Sequence, residues 1–321
     1  ISMIREAKRP YILVGGGAAA VGAAIEVAVY RNTVTAMIGN YNTVTAKSIL
    51  VQAIADRDIQ AAAVMASASG TASINGSILV LSIGAGTTDS DANKAETNGG
   101  GNSSDKASKE ASDRGQAAVN LGYGQKVNAE QGNQYVTEAN GTISGLATDN
   151  KTLISGYFTS AKVEDKTYAG IGDGGKTTAT DGNVTVSAQD QTKLNSVAGA
   201  AGGSGTVSIG ISLNLAILNG TAEARIGGTV KAEKGSVEVC AKNILNVPAF
   251  SAIGGNVSGA VAATGTITVL KAGEKAYAYI APKANVEAEG NVIVLAESSQ
   301  DILVVNGNVS ASGAASLGVA T

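Results

Sequence analysis

Few side chains in this chain are equipped for chemistry, and they are scattered. The 321 residues include no histidine, which removes imidazole-assisted serine or cysteine catalysis and histidine-ligated zinc. Cys240 is the single cysteine; it forbids an internal disulfide or a cysteine metal cluster and reads as a small apolar residue in a strand. Asp56 with Asp58, and Asp89 with Asp91, bring carboxylates close in sequence. Glycoside hydrolysis needs two carboxyl groups flanking a bond, and no second constellation supports that here. A polysaccharide-acting β-helix enzyme is therefore the least favoured of the functions weighed. Gly15-Gly16-Gly17 matches a nucleotide loop only in composition: no Lys-Ser/Thr follows, and the next segment alternates like a strand. Asp173-Gly174-Gly175 and Asp181-Gly182-Asn183 offer oxygen ligands but lack a regular calcium repeat, and read as turns. Thr33-Val34-Thr35 and Thr43-Val44-Thr45 would suit an ice-ordering face, but Glu223, Arg225, Lys231, Glu233, Glu287 and Glu289 stand at the later equivalent positions. No catalytic, cofactor-binding or metal-ligating residue is assigned, and no cofactor is expected.

Bulk properties narrow the partners. With 23 basic and 26 acidic side chains the formal charge is −3, too little positive field to gather nucleic acid. Hydrophobic residues make up 44% of the chain but aromatics only 3%, and 42 residues are glycine, so the expected core is aliphatic and its layers narrow. The apolar runs near residues 14–29 and 207–218 are short and interrupted by Gly, Glu26, Ser208, Ser212 and Asn214, which argues against membrane insertion. The start Ile1-Ser2-Met3-Ile4-Arg5 carries no charged-then-apolar leader, and the chain reads as processed or excised.

What must position any functional group is a repeat. Gly182-Asn183-Val184-Thr185-Val186-Ser187-Ala188, Gly235-Ser236-Val237-Glu238-Val239-Cys240-Ala241 and Gly290-Asn291-Val292-Ile293-Val294-Leu295-Ala296 start 53 and then 55 residues apart. Each is followed by an Ala/Gly/Ser stretch, a longer alternating strand, and short elements such as Ala222-Glu223-Ala224-Arg225-Ile226 or Ala276-Tyr277-Ala278-Tyr279-Ile280. Such a period, built of strands and turns, predicts an all-β, single-stranded parallel β-helix. Divided into about three turns of roughly 18 residues each, it would make roughly 13 turns and an axis of about 60 Å. Val184, Val186, Val237, Val239, Val292 and Val294 should point inward, with Thr185, Glu238 and Ile293 outward. Val21, Ala23, Ile25, Val27 and Val29 share one strand face of the N-terminal copy. Gly182, Gly235 and Gly290 read as structural corners that tolerate positive φ.

One copy is interrupted. Ser77-Ile78-Leu79-Val80-Leu81-Ser82-Ile83 should run directly into an Ala-x-Ile-Gly element, which appears only at Tyr168-Ala169-Gly170-Ile171-Gly172. The chain thus divides into solenoid repeats at 1–85, an insertion at 86–165, and solenoid repeats at 166–321. The insertion opens on a polar Gly-rich stretch, permits a marginal helix from Ser103 to Val119, and contains Ile143, Leu146, Leu153, Ile154 and Val163, enough for a small core. Tyr123, Tyr135, Tyr157 and Phe158 gather several of the few aromatics there and serve either that core or contact with a partner.

On the recurring Gly-x-Val-x-Val-x-Ala at 182–188, 235–241 and 290–296, with the Ala/Thr/Val-rich elements at 24–38 and 219–232, the sequence resembles the β-helical stalks of large bacterial surface adhesins. These are the filamentous haemagglutinin-like group, and especially the leukotoxin-type filamentous adhesins. The resemblance covers about three quarters of the chain. It implies secretion by a two-partner or autotransporter route, display outside the cell, and adhesion to a host or bacterial surface protein or glycan. A homo-oligomer or end-to-end filament is the alternative expectation.

Overall fold

The computed structural model describes residues 2–8, 11–30, 32–84 and 166–321, and every regular element among them is a strand. The first coil comprises β1 (Ser2–Lys8), β2 (Tyr11–Gly16), β3 (Ala19–Tyr30), β4 (Thr33–Ile38) and β5 (Thr43–Ala46). The second runs through β6 (Ile49–Ser69), β7 (Ala72–Gly84), β8 (Lys166–Ile171) and β9 (Lys176–Ala179). The third is β10 (Val184–Ser204), β11 (Val207–Asn219), β12 (Thr221–Ile226) and β13 (Thr229–Ala232). The fourth is β14 (Val237–Ser258), β15 (Val261–Ala272), β16 (Lys275–Ile280) and β17 (Asn285–Ala288), followed by β18 (Val292–Ser312) and β19 (Ala315–Ala320).

All pairing is parallel, each strand on its counterpart one coil away, in four sheets. Sheet A holds β1, β2, β6, β10, β14 and β18; sheet B holds β3, β7, β11, β15 and β19; sheet C holds β4, β8, β12 and β16; sheet D holds β5, β9, β13 and β17. The parallel β-helix expected from the repeat is thus present. The coil count is not: one whole period makes one coil, since Val184 pairs Val237 and Val237 pairs Val292. The Ala/Gly/Ser stretches continue the strand rather than turn it, so sheet A strands reach 21 or 22 residues. Five levels at about 4.8 Å give a stack of about 20 Å, and a 21-residue strand spans about 70 Å.

Sheet A forms one wall, and sheets B, C and D line the other. Near one end Val51, Val186 and Val239 of sheet A pack on Ala169, Ala224 and Ile226 of sheet C and on Ala179, Val230 and Ala232 of sheet D. Farther along, Ile59, Leu194, Leu245 and Phe250 meet Leu81, Ile83 and Leu218 of sheet B. Val184, Val186, Val237 and Val239 are fully buried, as the alternation predicts, whereas Val292 and Val294 are 47% and 46% exposed because β18 is the last strand of its sheet. Pro248 interrupts β14 without breaking it: the register shifts between Val247 and Phe250, a bulge that spares the missing N–H from the ladder.

The ladder runs unbroken across the interruption. β8 pairs both β4 and β12, and β10 pairs both β6 and β14. Residues 86–165, with the predicted helix and small core, lie outside the described residues.

At its far end the interior becomes polar. Asn75 Nδ2 donates to Asn256 Oδ1 (3.3 Å), Ser208 Oγ to the same atom (3.0 Å), Asn256 Nδ2 to Thr264 Oγ1 (2.8 Å), and Ser310 Oγ to Thr264 Oγ1 (2.7 Å). Asn75 and Asn256 sit two coils apart and meet only because Gly202 and Gly210 between them carry no side chain; a Cβ at either would overlap both amides.

The corner glycines act through close approach. Gly182, Gly235 and Gly290 occupy the turns from sheet D to sheet A, but the only positive φ angles among the described residues are Tyr41 (58°) and Gly174 (65°). A Cβ on Gly235 would overlap Gly182, and one on Gly290 would press on Ser236. A second column, not singled out from sequence, fills the turns from sheet A to sheet B, where a Cβ on Gly205, Gly259 or Gly313 would strike the carbonyl oxygen of the glycine one coil before it. Gly205→Ala should therefore cost about 1–3 kcal/mol, while Gly203→Ala, with open space at its Cβ, should stay within about 0.5 kcal/mol. Denaturant midpoints of the two variants check this.

Candidate functional site on the outer face of sheet C

Sheet C alternates strictly. In β12 and β16 the inward positions are Ala222, Ala224, Ile226 and Ala276, Ala278, Ile280, so the remaining residues must face out. Register places Lys166, Thr221 and Lys275 in one row, Tyr168, Glu223 and Tyr277 in the next, and Gly170, Arg225 and Tyr279 in the third. Three of the nine tyrosines of the chain thus stand on one small face.

These side chains hold one another. Lys166 Nζ lies 2.5 Å from Glu223 Oε2 and 5.1 Å from the centre of the Tyr168 ring. Tyr279 Oη donates to Glu223 Oε1 at 2.7 Å. Arg225 pairs with Asp173. The Tyr168 ring lies across Gly170, whose missing side chain makes the room. Tyr277 and Tyr279 remain 48% and 39% exposed, so their rings are free to meet a partner.

Burial alone would raise the Glu223 carboxyl, but hydrogen bonds from Lys166 and Tyr279 and the charges of Lys166 and Arg225 outweigh it and hold the group below the ordinary glutamate value. Burial and the bond to Glu223 push the Tyr279 phenol up to about 12. Burial would lower the Arg225 guanidinium, yet Asp173 and Tyr168 raise it. At neutral pH Glu223 is ionised and Tyr279 protonated, both far from the range of a proton-transfer group. The face offers fixed charges, hydroxyls and flat rings.

The carboxylates considered from sequence do not converge. Asp56 and Asp58 point outward on sheet A, on either side of the inward Arg57; Asp89 and Asp91 lie outside the described residues. Asp173 is taken by Arg225 and Asp181 by Lys234 at 2.8 Å, each from the next coil. No three acidic or cysteine side chains gather for a metal among the described residues. Gly15 and Gly16 end β2 and Gly17 follows in the turn to β3, a strand rather than a phosphate loop. Burial, then the Glu238 charge, pushes the Cys240 thiol up, away from nucleophilic use. Tyr123, Tyr135, Tyr157 and Phe158 lie outside the described residues.

Behind sheet C, a charged cluster is sealed between the walls. Arg57 and Asp190 are each 1% exposed and paired at 2.5 Å; Thr192 Oγ1 accepts from Arg57 (3.1 Å) and Thr167 Oγ1 donates to Asp190 (3.1 Å). Asn243 Nδ2 donates to Glu274 Oε2 at 2.9 Å, and burial raises that carboxyl. The sequence signal was available, because Arg57 occupies an inward position in the alternation Val51, Ala53, Ala55, Arg57, Ile59. The sheet C face was legible in the same way, from Lys-x-Tyr-x-Gly, Thr-x-Glu-x-Arg and Lys-x-Tyr-x-Tyr at equivalent positions. No known protein family, curated protein or solved structure matches this chain.

Two outcomes follow. Asp190→Ala should cost about 3–5 kcal/mol by removing the carboxylate from a buried ion pair, whereas Arg57→Met with Asp190→Leu should recover most of it; denaturant unfolding separates the two. Glu223→Gln should lower stability by up to about 1 kcal/mol at neutral pH. A depressed carboxyl stabilises above its unfolded value and loses that contribution as pH falls through its own lower one. The gap between wild type and Glu223→Gln should therefore shrink as pH falls below 4.5, the ordinary glutamate value, in unfolding curves taken along the pH series.

Proposed function

We propose that this chain is a non-catalytic adhesive segment of a secreted bacterial surface protein: a rigid β-helical spacer that contacts a host or bacterial surface protein or glycan from its side. The observation that carries the reading is the parallel ladder of sheet A from β6 through β18, which resumes its register on either side of the bulge in β14. A ladder of this kind adds length coil by coil by one rule and resists bending because each coil is bonded along its whole perimeter. The repeat's resemblance to filamentous haemagglutinin-like stalks supports the same reading and an extracellular or outer-surface location. Contact is assigned to the flank where residues 86–165 leave and rejoin the solenoid, next to the tyrosine and charge rows of sheet C.

A filament reading has its own support. β18 exposes Val292, Ile293, Val294, Leu295, Leu303, Val304 and Val305, and an open parallel edge accepts either a further coil or a second copy.

Binding of the full chain to arrays of surface glycans and matrix proteins tests the proposal. Binding that falls about tenfold in Tyr277→Ala/Tyr279→Ala, with strand circular dichroism intact, supports it. Release of sugars from a polysaccharide, or no binding to any surface by the folded chain, would replace it.

A further inference from the structure

The outer face of sheet A changes character along its length. Up to residue 60 of β6 and the equivalent points of the other strands, outward positions carry charge, among them Asp58, Lys193, Lys242 and Asp301. Beyond that point the outward residues of 62–68, 197–203, 251–257 and 305–311 are Ala, Gly, Val and Ile, with Ser251 the one hydroxyl. β2 sets Tyr11 and Leu13 on the same face, beside Val64 and Ala66. The face is open: Ile253, Val257 and Val309 are 51%, 59% and 69% exposed. Five strands about 4.8 Å apart and about seven residues long make a flat apolar area on the order of 600 Å², at the top of what a monomer usually leaves uncovered.

Its glycines answer to nothing within the chain. A Cβ at Gly203, Gly255 or Gly307 would meet no atom within 4 Å, unlike the corner glycines, and glycine weakens a strand. A glycine in the interior of a strand marks the close approach of another backbone. Their placement indicates which one. A twofold axis along the stack, through the row Met65, Ala200, Gly254 and Asn308, sets each strand against the same strand of a second copy. Val64 then faces Ala66, Val197 faces Gly203, Ile253 faces Gly255 and Val309 faces Gly307. At every level a branched side chain meets a small residue. The same axis sends the two charged halves in opposite directions, out of the contact, whereas a twofold along the strands would lay them on one another.

We propose that the uncharged half of sheet A is the surface on which a second copy of this chain packs, wall to wall, as an isologous dimer. Two such faces bury about 1,200 Å², the size at which specific, stable interfaces begin. The twofold leaves the direction of the stack unchanged, so the two solenoids run side by side with their coils in the same order. Coil meets like coil, and the contact widens by one strand pair for each coil in the stack. This is a lateral joint, separate from the open edge of β18, whose backbone groups point along the stack.

The test uses the full chain and does not depend on whether it adheres. Sedimentation velocity at micromolar concentrations should show a monomer–dimer equilibrium that stops at two copies. Gly255→Arg, for which the single chain has room, should raise the dissociation constant at least about a hundredfold with strand circular dichroism retained. Gln189→Arg, on the charged half, should leave it within about threefold. A mixing experiment guards against misfolding: Ile253→Asp chains and Gly255→Arg chains should pair with each other, because the twofold sets these two positions face to face. A chain that stays monomeric, or a dimer that Gly255→Arg leaves intact, overturns the proposal. So does assembly past two copies, which would assign association to the edge of β18, or capture of monomers by phosphatidylcholine vesicles that Gly255→Arg abolishes, which would assign the face to a lipid surface.

Discussion

Every position in this molecule answers to the residue directly above and below it. Parallel, in-register stacking leaves about 4.8 Å between levels, and a side chain that does not fit its column has no neighbouring groove to turn into. The composition follows. Inward columns accept Val, Ile and Ala because they pack on copies of themselves, and the turns accept glycine because one corner rests on the carbonyl of the last. Phe250, at 0% exposure, sits where a bulge has loosened the ladder.

Charge and polarity are admitted only where several coils cooperate. Arg57 and Asp190 come from adjacent strands of sheet A, with hydroxyls supplied by Thr192 beside them and by Thr167 across the interior. The Asn75 and Asn256 amides meet across an intervening coil that gives up two side chains to let them. Pairs of this kind are costly to break and gain little over hydrophobic packing, so they fix the order of the coils more than they add stability. A coil displaced by one level would leave Arg57 facing Leu245 in place of Thr192, since all three share one column.

Much of this was legible in the sequence. The recurring Gly-x-Val-x-Val-x-Ala marked the period, and two-residue alternation identified the inward Val184, Val186, Val237 and Val239, while the outward rows of sheet C went unremarked. Coil size was not legible, because Ala/Gly/Ser runs such as residues 198–204 have low strand propensity alone and become strand when hydrogen-bonded to the coil beside them. The polarity of sheet B was hidden for a related reason: in Val207-Ser208-Ile209-Gly210-Ile211-Ser212 the aliphatic face invites assignment to the core, and only the position of sheet A shows that the serines occupy it. The glycine column at the turns from sheet A to sheet B was scattered among 42 glycines and became visible only as stacked corners.

The flattened outline of each coil has a mechanical consequence. A wall about 70 Å wide and a separation of about 10 Å between walls describe a ribbon, not a rod. For a ribbon, flexural rigidity across the broad face falls below that within its plane roughly as the square of the aspect ratio, here on the order of ten- to fifty-fold once side-chain thickness is counted. Under load from flow, such a stack would yield by cupping along one axis and hold straight along the other. The flanking rows of sheet C would keep their spacing during that flexure because they are joined to the stiff direction through hydrogen bonds to the coils on either side.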